Sequence, residues 1–263
     1  MNGLYRDGDG LLHRWHPLTK LALLLATLLI GFSDLWPLAG VPRLPWLWAG
    51  LLLLLALADG VATLRRLLLL ALVTLGPLAL SMFIVHGFFN PNGETILWSE
   101  GSLTLRLEGL LFGARLLTRL VPLLLATGLL LLTTPPTDLA AALTEAGLPR
   151  EIGYILLSAL LLLPQMRAQA QRIQAAQQSR GMAVRGSVWQ RIRAVPALLG
   201  PLLGSALVAA EGRALTLELR GFRTEGPRPT QWRALPDSAG QRLLRWGLLL
   251  TAAVLFVWGR ILP

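Results

Sequence analysis

The sequence contains no cysteine, which removes disulfides, thiolate metal sites and thiol nucleophiles from consideration. Lysine is almost as scarce, with Lys20 alone beside 23 arginines. That lysine follows Thr19 and opens an apolar run, so the Gly-Lys-Ser or Gly-Lys-Thr of a phosphate-binding P-loop is missing. Any ATP hydrolysis tied to this chain must come from other subunits. Charge is sparse altogether: 14% of the 263 residues are charged against 54% hydrophobic, and the mean hydropathy of +0.60 is too high for an ordinary soluble domain. The apolar runs hold no paired Asp-rich motif, no His cluster and no Ser-His-Asp set, which disfavours a membrane-embedded enzyme. Nor is there a convincing internal repeat of the kind a self-sufficient secondary transporter would favour. These two remain the alternative readings.

What is present is leucine in long runs. Five membrane spans are expected, at about 18–33, 44–58, 67–86, 109–132 and 243–261, chosen by apolar run length against the roughly 20 residues that cross a bilayer. Asp34 with Pro37 to Pro45, Asp59 to Arg66, and Asn90-Pro91-Asn92-Gly93 punctuate them. The polar opening, residues 1–17 with Arg6, Asp7, Asp9, His13, Arg14 and His16, reads as a cytoplasmic lead-in rather than a cleaved signal. His13 and His16 could share a helix face, but no third ligand stands nearby. We read them as an interfacial polar cluster and assign no metal site.

The formal charge of +10 could suit nucleic acid, but its distribution follows the positive-inside rule. Arg65 and Arg66 place the second connection inside, and Glu94, Glu100 and Glu108 against Arg106 place residues 86–108 outside. The amino terminus is then inside, and the fourth span returns to the cytoplasm ahead of a stretch, Thr133 to Gln241, with 12 arginines. We therefore expect a multi-pass protein of the cytoplasmic (inner) membrane that meets lipid and not nucleic acid. Its domains divide as a membrane domain (1–132), a cytoplasmic helical module (133–241) and a final span (242–263). Arg115 and Arg119 fall inside the fourth run, where a lipid-facing charge is costly. Snorkelling to the external surface suits Arg115, and contact with another helix or subunit suits Arg119.

The module has explicit start and stop signals. Thr134 is expected to cap a helix over 135–146 that stops at Gly147 and Pro149. A second helix, about Glu151 to Arg180, begins apolar and turns polar after Pro164, with glutamines set among alanines. A third, about Val188 to Arg220, carries Pro196 and Pro201, each able to kink it, and then a strip of small residues, Gly204 to Ala214. Small residues permit close crossing, so the two long helices are expected to cross and project their carboxyl ends. Those ends match: Ser179-Arg180-Gly181 and Leu219-Arg220-Gly221. Capping accounts for a glycine past a helix end and for a terminal arginine. A helix tip ending in a guanidinium also suits insertion into a partner groove that offers carboxylates or carbonyls.

The opening Leu11-Leu12-His13-Arg14 through Pro17-Leu18-Thr19-Lys20-Leu21, the stretch Thr133-Thr134-Pro135-Pro136-Thr137-Asp138-Leu139, and the two arginine-centred helix endings together resemble the transmembrane T component of energy-coupling factor transporters, the EcfT and CbiQ family. The departures are Ser179 and Leu219, where many relatives have Ala, and His16, where an acidic residue is common. The resemblance implies an all-α polytopic fold whose crossed amphipathic helices are coupling helices. It implies that Arg180 and Arg220 dock on two cytoplasmic P-loop ATPase subunits, which carry the ATP and Mg, while this chain binds no cofactor and catalyses nothing. It implies further that spans and coupling helices hold a membrane-embedded substrate-binding S component, and that the cargo is a vitamin or a transition-metal ion.

Overall fold

Pro17, whose missing N–H costs nothing at the first turn of a helix, starts α1 (Pro17–Gly31), and the His16 side chain caps it. A two-residue hairpin of β1 (Pro37–Leu38) and β2 (Val41–Pro42) leads to α2 (Leu44–Asp59), and α3 (Val61–Phe89) follows after Gly60. An antiparallel pair, β3 (Ile96–Glu100) and β4 (Leu103–Arg106), precedes α4 (Leu107–Thr133) and the short α5 (Pro136–Glu145). Then come α6 (Arg150–Ser179), α7 (Val188–Leu219) and α8 (Ala239–Ile261). The computed structural model describes residues 5, 8, 10–33, 37–38, 41–89, 95–100, 103–181, 187–222 and 237–261. The expected turn at Asn90-Pro91-Asn92-Gly93, Asp34, the charged Arg6, Asp7 and Asp9, and Arg185, Arg223, Arg228 and Arg233 of the basic stretch lie outside the described residues.

The chain forms two compact units, Leu148–Ala234 and the remainder, Asn2–Gly147 with Leu235–Pro263. In the larger unit α1 lies at the centre, packed against α2, α4, α5 and α8, and α4 also packs against α2 and α3. The core joins Leu12 and Leu23 to Leu52 and Ala56 of α2, Leu67 of α3, and Leu125, Ala126 and Leu129 of α4. A second cluster sets Ala26 and Ile30 against Ala252 of α8. By contrast α3 buries only Leu67 and Gly87, while Leu72 and Val73 are 69% and 72% exposed. A helix this apolar with so little inside suits a lipid surround.

Lipid supplies no hydrophobic drive between helices, so close backbone approach matters more. On α4, a Cβ at Gly109 would overlap the His86 carbonyl oxygen of α3, and one at Gly128 would stand 2.6 Å from Leu67 Cδ1.

The smaller unit is built on α6 and α7. Among the described residues five helices, α3, α4, α6, α7 and α8, are long and apolar enough to cross a membrane, and the protein is a polytopic, all-helical membrane protein with two small hairpins added. This set differs from the five runs marked in the sequence. With 15 and 16 residues, α1 and α2 extend only about 22–24 Å at 1.5 Å per residue, short of the roughly 30 Å hydrocarbon core. Conversely, α6 and α7 qualify by length and composition although their glutamine and arginine content sets them apart.

The β3–β4 pair was not anticipated. Leu103 and Leu105 of β4 alternate with Thr104 and Arg106, whereas β3 opens on three apolar residues, Ile96-Leu97-Trp98, and Thr95 ties the hairpin to α4 through its N–H and hydroxyl to Glu108 Oε1, at 3.0 and 2.6 Å.

Candidate functional site

Both long helices of the smaller unit end in an arginine followed by a glycine at positive φ. Arg220 is the cap residue of α7, Gly221 follows at φ +68°, and the amides of Gly221 and Phe222 donate to the carbonyls of Glu218 and Leu217, each at 3.0 Å. This is a Schellman motif, in which a left-handed residue turns the chain and satisfies the last carbonyls. At α6, Arg180 is the cap, Gly181 has φ +84°, and its amide donates to Gln178 O at 3.0 Å. Glycine is required there because a Cβ disfavours that conformation. The geometry therefore explains both glycines by local capping, and it makes no demand for a guanidinium in the residue before. Arg180 and Arg220 are exposed, as are Ser179 and Leu219, the latter 80% so.

The two helices run antiparallel. Gln177 Nε2 donates to Ala197 O at 3.4 Å, Arg213 Nη2 donates to Gln165 Oε1 at 3.2 Å, and the rings of Tyr154 and Phe222 meet at 5.3 Å. Arg220 thus caps α7 beside the start of α6, whereas Arg180 stands at the far end of α6. Some 26 residues at 1.5 Å separate these ends by about 40 Å. Pro196 and Pro201 are accommodated within one continuous helix. The small-residue strip does not act wholly as expected: a Cβ at Gly204 or Gly212 would meet nothing within 4 Å, so neither glycine lines a close approach.

A second set of polar residues gathers in the larger unit, at the start of α1. Asp59, at the end of α2, accepts hydrogen bonds from the Leu12 amide at 2.8 Å and Thr63 Oγ1 at 2.8 Å, and pairs with His13 Nδ1 at 3.1 Å.

Lys20, 4% exposed, donates from Nζ to Thr133 O and to Thr134 Oγ1, both at 2.9 Å. The His16 amide donates to Gln241 Oε1 of α8 at 2.8 Å. Its ring Nδ1 accepts the Leu18 amide at 3.2 Å, and Nε2 lies 3.8 Å from Glu145 Oε2, beyond hydrogen-bond length. Burial lowers the His16 pKa, opposed by the carboxylates of Asp237 and Glu145. The start of α1, the α2–α3 junction, the α4–α5 junction and the start of α8 therefore meet in one polar girdle.

Two expectations are corrected here. Thr134 does not cap α5; Pro135 holds that position without a side-chain bond, because the Thr134 hydroxyl is engaged by Lys20. His13 and His16 do not share a helix face, since both precede α1 and turn to different partners. Among the described residues no group of three or more potential ligands could hold a metal.

On α4, the Arg119 guanidinium sits 5.5 Å from the Phe32 ring centroid at the end of α1, a cation–π contact. Arg115 is exposed one turn earlier.

The model of the family CbiQ, described as cobalt transport protein, matches residues 8–232, a span that includes the girdle's opening segment and both arginine caps. The chain belongs to this family. Its relatives include the energy-coupling factor transporter transmembrane protein EcfT of Listeria innocua, 30% identical over 96% of this chain and 94% of that protein. The protein of the same name from Lactococcus lactis is 27% identical over 98% and 97% of the two chains. That from Acidaminococcus fermentans is 31% identical over 84% and 82%.

The chain is thus a multi-pass membrane protein of the CbiQ family of transporter components. Within it, two of the stretches that carry the resemblance, around His13–Lys20 and around Thr133–Asp138, are brought into contact through Lys20. Sequence reasoning takes Lys20 as a failed P-loop lysine and as part of the opening motif, takes Asp59 as punctuation between spans, and passes over Glu145 and Gln241. A usable signal was present, since a lone ammonium at the head of an apolar helix must find a partner.

Proposed function

We propose that this chain is the coupling subunit of an energy-coupling factor importer, passing the motion of two cytoplasmic ATPase subunits to a membrane-embedded, substrate-binding S component. The observation that carries the reading is the antiparallel α6–α7 pair, with one exposed arginine cap at each end, about 40 Å apart. Two caps on one face would serve a single partner; two at opposite ends suit two. Each guanidinium enters a groove of one ATPase, where it makes several charge-assisted hydrogen bonds and stays ionised.

On this reading α1–α4 and α8 are the membrane-embedded helices of the inner membrane, and α6 and α7 lie on the cytoplasmic side together with the amino terminus. Gln165, Arg213 and Gln177 between the two helices favour water over hydrocarbon. The chain binds no nucleotide and performs no catalysis; ATP and Mg belong to the ATPases. The cargo is a small solute of the vitamin or transition-metal class, chosen by the S component.

The test is recruitment. Arg180→Glu combined with Arg220→Glu is expected to leave membrane insertion intact while ATPase subunits no longer co-purify in detergent and uptake stops. Truncating a single buried arginine is expected to cost roughly 2–5 kcal/mol, or about 30-fold to several thousand-fold in affinity. Undiminished ATPase recovery by the double variant would reduce both arginines to local caps.

A further inference from the structure

Beside the Arg220 cap, α6 and α7 enclose an open groove lined by Glu151, Tyr154, Ile155, Leu217, Glu218 and Phe222. The two helices carry three acidic residues, Glu151, Glu211 and Glu218, and two of the three line this one groove. Glu218 stands in the last turn of α7, where the carboxyl end of a helix disfavours negative charge, so its presence is not explained by helix stability. Arg220 is outside the lining, and at a spacing of two residues its side chain and that of Glu218 leave the helix in different directions. Between the carboxylates stands the Tyr154–Phe222 pair, 5.3 Å between centroids and tilted 58°.

Carboxylates around aromatic faces match an organic cation: the charge is met by the oxygens and by the rings, and the alkyl stem by Ile155 and Leu217. A hydrated metal ion would draw nothing from those apolar walls, since hard cations take oxygen ligands. We infer that this groove receives a lysine or arginine side chain of the ATPase subunit docked on the Arg220 end, so that the contact is reciprocal, with each partner inserting a cation into the other. The inference rests on the docking reading above, because a body seated on the Arg220 cap covers the groove next to it.

The experiment titrates the ATPase subunits against the chain reconstituted in nanodiscs, at low and high salt. Because the carboxylates are exposed in the free chain, Glu151→Gln with Glu218→Gln is expected to weaken binding about fivefold at low salt and to flatten the salt dependence. A photo-crosslinking amino acid at Ile155, in an otherwise unchanged chain, is expected to capture an ATPase peptide containing Lys or Arg. If Arg220→Glu abolishes binding while the double glutamine variant binds like the parent with the same salt slope, the groove inference falls and docking stands. If Arg220→Glu itself binds like the parent, the docking reading fails and takes the inference with it. Crosslinking at 155 to the S component or to this chain's own segments would also overturn the groove assignment, whatever the folding yield of the glutamine variant.

Discussion

Replacing Lys20 by methionine keeps the length of the side chain and removes both of its bonds, to Thr133 O and Thr134 Oγ1. Hydrogen bonds from a charged donor contribute about 1.5–3 kcal/mol each, so two represent some 3–6 kcal/mol. Against this, methionine relieves the burial of an ammonium that is only 4% exposed, and relieving a buried charge returns several kcal/mol. The terms nearly cancel, except that the Thr133 carbonyl and Thr134 hydroxyl lose their donor in a buried site; we expect a net loss of about 2 kcal/mol.

At about 2–4 °C per kcal/mol for a chain of this size, the midpoint in detergent falls by about 4–8 °C. The chain's nine tryptophans allow this to be followed by intrinsic fluorescence. The sharper quantity is the coupling in a double-mutant cycle with Thr134→Val, expected at about 1–2 kcal/mol. A coupling below about 0.5 kcal/mol, or a Lys20→Met protein as stable as its parent, would refute the claim that this lysine clamps α1 to the α4–α5 junction.

The His16 cap should respond to pH, because its Nδ1 accepts the Leu18 amide only when unprotonated. Burial depresses its folded pKa below the ordinary 6.5, so the unfolded chain takes up protons first and stability falls as pH drops below about 6.5; His16→Asp should erase that dependence in a series of thermal melts. Gly109→Ala should cost about 1–3 kcal/mol by forcing a methyl into the His86 carbonyl, whereas Gly204→Ala, with open space around it, should gain about 0.5–1 kcal/mol from helix propensity. Equal melting temperatures for these two variants would contradict the close α3–α4 contact.

Local signals explain which parts of this fold were readable. Pro136 at one end and Gly147 at the other bracket α5, and the glycines after Arg180 and Arg220 mark two helix ends to within a residue, because a left-handed cap needs that residue type. The girdle has no such local signature. Its bonds join residues 46, 113 and 225 positions apart, and neither periodicity nor capping rules constrain pairs at that separation. The alternation in β4 was legible, but the charge bias of the same segment drew the reading toward a plain external loop. Gly204 and Gly212 misled for a related reason: a small side chain allows an approach without requiring one, and which face meets a neighbour is settled by the partner helix.

Among the described residues of α6 and α7 only Gly153, which has no side chain to pack, is buried; this pair of rods has almost no interior of its own. Excised as a fragment, it would lack the packed centre that makes a domain cooperative, and its two ends could twist against each other without breaking any dense packing. If the two ATPases dock as proposed, the partners at its two ends supply the stiffness that the pair itself lacks.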